Sequence, residues 1–201
     1  MRIDEKIALL EKEKRQQIKQ MQHALDLQYE ERKPLYSVDF FKIGFKAFLV
    51  FLDPVFYRME IDAILDHTLL IPVLKDYFQI VCNTPTHLIA VNEKHKVSIV
   101  IESLKEWEPR NPLQEWATLL LADTEPLYGN TMVRKVRSYE DLDYCCLDIS
   151  AVTGLQYQIF FRIYWNNRYL IGTCSCRQED WGTVGSFLEA FVLELYRLNT
   201  A

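Results

Sequence analysis

Five cysteines and four histidines are the side chains here best suited to hold a metal or act as a nucleophile, so their spacing is the first test. Structural zinc wants paired Cys-x2-4-Cys units, or one such pair with a His pair. This chain offers Cys145-Cys146, whose side chains leave a strand on opposite faces, and Cys174-x-Cys176, which share one. His23, His67, His87 and His95 are scattered over different elements. No metal site and no cofactor is expected, and the thiols are expected in the core. A Cys145–Cys174 disulfide would have to cross an intervening strand. Two strand spacings make about 9–10 Å, beyond the roughly 7 Å allowed between bridged Cα atoms. A thiol nucleophile needs an oriented base nearby. Cys82 and His87 flank the Thr84-Pro85 turn, but no neighbouring residue in the sequence is placed to orient that imidazole. Serine has no nucleophile elbow. The carboxylates Glu140, Asp141, Asp143 and Asp148, and Glu102, Glu106 and Glu108, read as solvated acidic faces rather than a glycosidase pair. No catalytic residue is assigned.

Composition narrows the partner class. At 201 residues and 49% hydrophobic, the chain can bury one good core with a helical appendage. A net charge of -5 gives no electrostatic footprint for nucleic acid and repels anionic lipid headgroups. The odd cysteine count and the charged amino terminus favour a reducing, cytoplasmic setting. The run Phe40 to Leu52 is apolar, but it carries Lys42 and Lys46 and stops at Asp53-Pro54. It falls short of the roughly 20 residues a membrane span requires. A buried helix is expected there.

The elements that would position these residues fall in two parts: a helical region over residues 1–76 and an α+β domain over 77–201. Within 4–31, Ile7, Leu10, Ile18, Met21, Leu25 and Tyr29 recur at three-and-four spacing, interrupted at Lys14. That helix either lies on the parent domain or serves as a coiled-coil arm for a partner or a second copy of the chain. Ser37 is placed to cap a second helix reaching about Leu52, and Asp53-Pro54 to start a third running to Leu65 or Leu70. From Tyr77 the period shortens. Strands are expected at Tyr77–Cys82, His87–Val91, Lys96–Glu102 and Thr131–Ser138, with a helix from Leu113 to about Ala122.

A three-stranded meander follows: Asp143–Gly154, Leu155–Trp165 and Arg168–Cys176. A two-residue turn at Asn166-Asn167 would set Trp165 opposite Arg168, Ile163 opposite Leu170, and Phe161 opposite Gly172. A three-residue turn at Val152-Thr153-Gly154 would place Cys145, Leu147 and Ile149 on one face with Tyr157, Ile159, Phe161 and Ile163. A closing helix presents Trp181, Val184, Leu188, Phe191, Leu195 and Leu198 to that face, with Gly182 and Gly185 permitting close approach. The other face carries Phe160, Arg162, Tyr164, Tyr169 and Ile171, too apolar to be left in water.

This order of elements over residues 77–201 resembles the PsbP/DcrB-like fold, an antiparallel sheet packed between helices. The matching pieces are Tyr77 to Pro85, Val97 to Ile101, the helix Pro112 to Leu121, the strands from Met132 to Cys176, and the closing helix. Proteins of that fold are mostly non-enzymatic: photosystem-associated subunits, small-GTPase binding factors and chaperones for secretion effectors. The resemblance implies a binding surface and supplies no site residues.

The expectation is therefore a non-enzymatic protein-binding module, an adaptor, effector chaperone or immunity-type partner. Its contacts are expected at Ile7, Leu10, Ile18, Met21, Leu25, Phe160, Arg162, Tyr164 and Tyr169, with a homodimer through the amino-terminal helix as one form. Two rivals stand beside it. One is a small enzyme using Cys82, His87 or His95 in a cleft between helices and sheet. The other is a membrane-peripheral module acting through Phe40 to Leu52 and Phe56.

Overall fold

The computed structural model describes residues 35–52, 54–104, 112–128, 131–151, 154–165 and 168–200. The amino-terminal stripe Ile7 to Tyr29 lies outside the described residues. From Leu35 onward the chain forms one compact unit.

Helix α1 (Val38–Lys46) starts where expected, with the Ser37 hydroxyl accepting from the Phe40 amide at 3.2 Å. It stops earlier than the sequence suggests. Ala47 caps it, and Phe48 turns the chain back through a left-handed conformation (φ 55°). The apolar run Leu49–Leu52 is strand β1 instead. The expected third helix is also absent: residues 55–64 form β2 (Val55–Ile64), followed by β3 (Leu69–Leu74). The cause is legible in retrospect. Val55, Tyr57, Met59, Ile61 and Ala63 alternate with Arg58, Glu60 and Asp62, a strand period that outweighs the Asp53-Pro54 start signal. Pro72 sits within β3 rather than ending a helix. It is tolerated because β3 is an edge of the sheet β1-β2-β3.

The β2–β3 connection holds three successive left-handed residues, Leu65, Asp66 and His67 (φ 51°, 55° and 60°). Thr68 Oγ1 donates to the Leu65 carbonyl at 2.6 Å, and Asn83 Oδ1 accepts from the Leu65 amide at 3.4 Å. Left-handed L-residues cost roughly 1–2 kcal/mol each. His67→Gly is accordingly expected to raise the unfolding free energy by about 1 kcal/mol in urea titration. An unchanged midpoint would show that the turn carries no strain at this residue.

The second sheet has seven antiparallel strands in the order β4-β5-β6-β10-β9-β8-β7. They are β4 (Gln79–Asn83), β5 (His87–Asn92), β6 (Val97–Leu104), β7 (Thr131–Tyr139), β8 (Leu142–Ala151), β9 (Gly154–Trp165) and β10 (Arg168–Arg177). Helix α2 (Leu113–Tyr128) intervenes between β6 and β7. A 3-10 turn (Gln178–Asp180) and a π turn (Trp181–Gly185) lead into α3 (Ser186–Thr200).

The β9–β10 hairpin has the expected register: Trp165 pairs with Arg168, Ile163 with Leu170 and Phe161 with Gly172. The β8–β9 hairpin does not. Ala151 pairs with Gly154, so the loop has two residues rather than three, and Cys146 rather than Leu147 lies opposite Ile159. One residue less in the loop inverts the strand. Leu142, Tyr144 and Cys146 therefore join Ile159, Phe161 and Ile163 in the main core. Cys145, Leu147 and Ile149 go to the other face, where α2 covers them.

The π turn and helix α3 together present the expected stripe, with Val184, Leu188, Phe191 and Leu195 in the core. Helix α3 is buried more completely than one stripe requires, because nine of its residues are enclosed, Glu189 and Glu194 among them. The seven-stranded sheet packs on one side, and α1 and β3 pack on another. Gly185 sits where an added Cβ would come within 2.8 Å of the Tyr157 ring, so the close approach expected at this position is real. Near the far end Asn199 accepts from the Leu70 amide at 3.0 Å and donates to the Leu70 carbonyl at 2.8 Å, standing in for a strand partner at the β3 edge.

Candidate interaction surface

Helix α1 is apolar on two sides. Phe41 and Phe45 point into the core, where Phe41 meets Phe187 at 5.8 Å. Phe40 and Ile43 face outward, Ile43 at 68% exposure. Gly44 then lets β1 double back against the helix, since a Cβ there would lie 2.9 Å from the Leu49 carbonyl oxygen. The β1–β2 register sets Phe51 opposite Phe56.

These constraints assemble a continuous row of rings. Phe40 stacks on Tyr36 at 4.9 Å, Tyr36 meets Phe51 edge-on at 5.7 Å, and Phe51 meets Phe56 at 4.7 Å. Phe56 at its end is 65% exposed, and Leu35, Phe48, Leu49 and Val55 add exposed apolar area along the same elements. Single exposed apolar residues need no explanation, but a contiguous ring row on a small domain does. An open cleft of about 420 Å³ borders it, lined by Val55, Phe56, Tyr57, Arg58, Lys75 and Asp76. The charges alongside include two exposed pairs, Lys42–Asp39 at 3.2 Å and Lys75–Glu60 at 3.7 Å. Exposed pairs of this kind add little stability, which leaves the apolar rings as the dominant feature.

The contact residues expected on the sheet occupy a different environment. Phe160, Arg162, Tyr164 and Tyr169 share one face, as expected, with Tyr164 and Tyr169 rings 5.0 Å apart. Arg162 and Tyr164 are buried, however, and Phe160 is half-buried in the small cluster under α2. Helix α2 covers Phe160 in that cluster, and its Trp116 ring lies 4.6 Å from the Arg162 guanidinium carbon. Ile7, Leu10, Ile18, Met21 and Leu25 lie outside the described residues.

The thiol–imidazole pairing is also altered. Cys82 is half-buried on β4. His87 is oriented after all: its Nδ1 lies 2.8 Å from Thr86 Oγ1 and its Nε2 lies 3.3 Å from Glu102. Both ring nitrogens are thus engaged by groups other than Cys82. The remaining thiols, Cys145, Cys146, Cys174 and Cys176, are buried, and burial pushes them all up, Cys145 to about 11 and Cys146 to about 12. A buried thiol held protonated is a poor nucleophile. Cys82 should therefore react fastest with alkylating agents from exposure alone. Among the described residues no group of three His, Cys, Asp or Glu side chains is placed to hold a metal ion, and no helix is long and apolar enough to cross a membrane.

Sequence reasoning expected the Phe40 to Leu52 run to be buried, because a run apolar on both sides reads as burial, whereas Leu35, Phe40, Ile43, Phe48 and Phe56 are exposed. The signal that could have found them is the helix cap at Ser37. It fixes which of Phe40 and Phe41 turns inward.

No protein-family profile matches the chain, and no curated protein matches it. Among solved structures, the chain is similar to a Pseudomonas aeruginosa protein titled as of unknown function and a candidate regulator. The identity is 14%, the TM-score 0.39, and the match covers 71% of this chain and 97% of that one.

Proposed function

We propose that this chain is a non-enzymatic protein-binding module that engages a partner protein through the ring row Phe40–Tyr36–Phe51–Phe56 and the aliphatic residues beside it. The observation that carries this is the contiguity of the row, with Phe40 and Phe56 exposed and Tyr36 and Phe51 half-buried between them. Aromatic side chains supply large contact area at low entropy cost and dominate binding hot spots. The PsbP/DcrB-like resemblance supports the same reading, since proteins of that fold include small-GTPase binding factors and effector chaperones. Free thiols at every described cysteine suit a reducing, cytoplasmic setting. The Cys82–His87 enzyme reading loses support, since the imidazole is held by Thr86 and Glu102.

The same rings, with Lys42, Lys46 and Arg58 near them, also give the membrane-surface reading its footing. The triple variant F40S/I43S/F56S separates the two. It is expected to keep its unfolding midpoint, because all three side chains are exposed, and to lose at least about 10-fold in affinity for the captured partner. Undiminished partner binding by the variant would remove the proposal. Co-sedimentation of the unmodified protein with anionic vesicles, abolished in the variant, would transfer the surface to lipid.

A further inference from the structure

The two faces of the seven-stranded sheet are closed very unequally. Toward α3 the core is continuous across both sheets and two helices. The opposite face over β7, β8 and β9 is sealed by a separate small cluster: Ala117, Cys145, Leu147 and Ile149, with Trp116, Leu120, Leu121, Val136 and Phe160 packed against it. Of the side chains described on α2, residues 113–123, Ala117 is the one buried, at 8% exposure, whereas Leu119 on the far side is 46% exposed. In its last turn Pro126 has no N–H to give the carbonyl four residues back.

The polar floor beneath α2 is bonded strand to strand. Arg162 Nε donates to Asp143 Oδ2 at 2.8 Å, and Ser138 Oγ donates to Asp143 Oδ1 at 2.6 Å, on β9, β8 and β7 respectively. The helix adds the Trp116 ring, 4.6 Å from the Arg162 guanidinium carbon. Among the described residues, lifting α2 would part the small apolar cluster and the Trp116–Arg162 contact, while the Arg162–Asp143 pair is made within the sheet.

We infer that α2 is a displaceable cover, opening as a unit while the sheet and the α3 core stay folded, and that opening uncovers an apolar strip of Phe160, Cys145, Leu147, Ile149 and Val136. Cooperative elements with few buried contacts open more often than the core they rest on. The chain carries its own reporter pair. Cys145 and Cys146 are adjacent in sequence, both fully buried, and on opposite faces of β8.

Pulse alkylation of the full chain with N-ethylmaleimide, at urea concentrations below the unfolding transition, reads the two thiols separately by fragment mass spectrometry. Normalised to their rates in the unfolded chain, Cys145 is expected to label about 100-fold faster than Cys146, Cys174 and Cys176, with a much shallower urea dependence. Trp116→Ala should raise the Cys145 rate about 10-fold and leave Cys146 unchanged. Equal rates for Cys145 and Cys146, or equal urea slopes, would overturn the inference, because the outer face would then open only with the whole fold. The unmodified protein decides this by itself, whether or not the Trp116 variant folds.

Discussion

Replacing Arg162 with alanine is expected to lower the unfolding free energy by about 3–5 kcal/mol. Both members of the Arg162–Asp143 pair are out of water, at 3% and 1% side-chain exposure. The pair itself contributes little net stability, because desolvating two charges offsets most of their attraction. Removing one member is different. Asp143 would keep the Ser138 hydroxyl but lose the cation beside it, and the Trp116 ring would lose the charge beneath it. A buried carboxylate in that state either takes up a proton or draws water under α2, and both weaken the fold. The comparison that isolates the cause is Arg162→Met with Asp143→Leu, which removes both charges and keeps apolar bulk. The double variant is expected to recover most of the loss, leaving it within about 1–2 kcal/mol of the parent. Urea midpoints at constant m-value measure both. A single variant within about 1 kcal/mol of the parent would mean that water already reaches the pair.

What the sequence disclosed followed from how local each determinant is. The β9–β10 register rests on a two-residue turn and on Phe161 covering a glycine, both readable within a dozen residues. The inversion of β8 came from a single residue of loop length at Val152-Thr153, where Gly154 was assigned to the turn but pairs as the first strand residue. Strand parity is unforgiving: the slip moved Cys145 and Cys146 to each other's side of the sheet. The segment Leu49–Leu74 was misjudged because Asp53-Pro54 is a strong local helix signal while strand pairing among β1, β2 and β3 is a tertiary fact. The burial of Arg162 and Tyr164 was out of reach for the same reason. Nothing local states that α2, which enters the sequence before the meander, returns over its outer face.

The arrangement also explains why an acidic, thiol-rich chain exposes a row of rings at one place. Helix α3 is surrounded, so its Phe187 and Phe191 need apolar cover from elements other than the large sheet. Helix α1 and the small sheet supply it with Phe41, Phe45, Val50 and Leu52. Elements that thin, a nine-residue helix and a four-residue edge strand, cannot bury aromatic residues on both sides. Phe40 and Phe56 are therefore left exposed, with Phe51 half-buried between them, beyond what core closure demands.

Gly172→Ala should destabilise the fold by about 2–3 kcal/mol, and Gly172→Val by more, although strand propensity alone favours alanine over glycine by up to about 1 kcal/mol. The sign reverses because of space. A Cβ at residue 172 would lie 2.2 Å from Phe161 Cζ and 2.8 Å from the Val100 carbonyl oxygen. The ring lies across the strand, over the gap glycine leaves, between β9 and β6 where β10 is paired on both sides. Phe161 is essentially inaccessible, so its ring cannot swing into water. The carbonyl belongs to a central strand and cannot shift without disturbing two ladders. Phe161→Leu in the Gly172→Ala background separates these two obstacles. If the ring dominates, the second change restores part of the loss, and the double-mutant cycle shows a favourable coupling of at least about 1 kcal/mol. If the carbonyl dominates, the two losses simply add. A Gly172→Ala variant as stable as the parent would mean that Phe161 has room to retreat, and the close packing of α3 on this part of the sheet would have to be looser than its burial indicates.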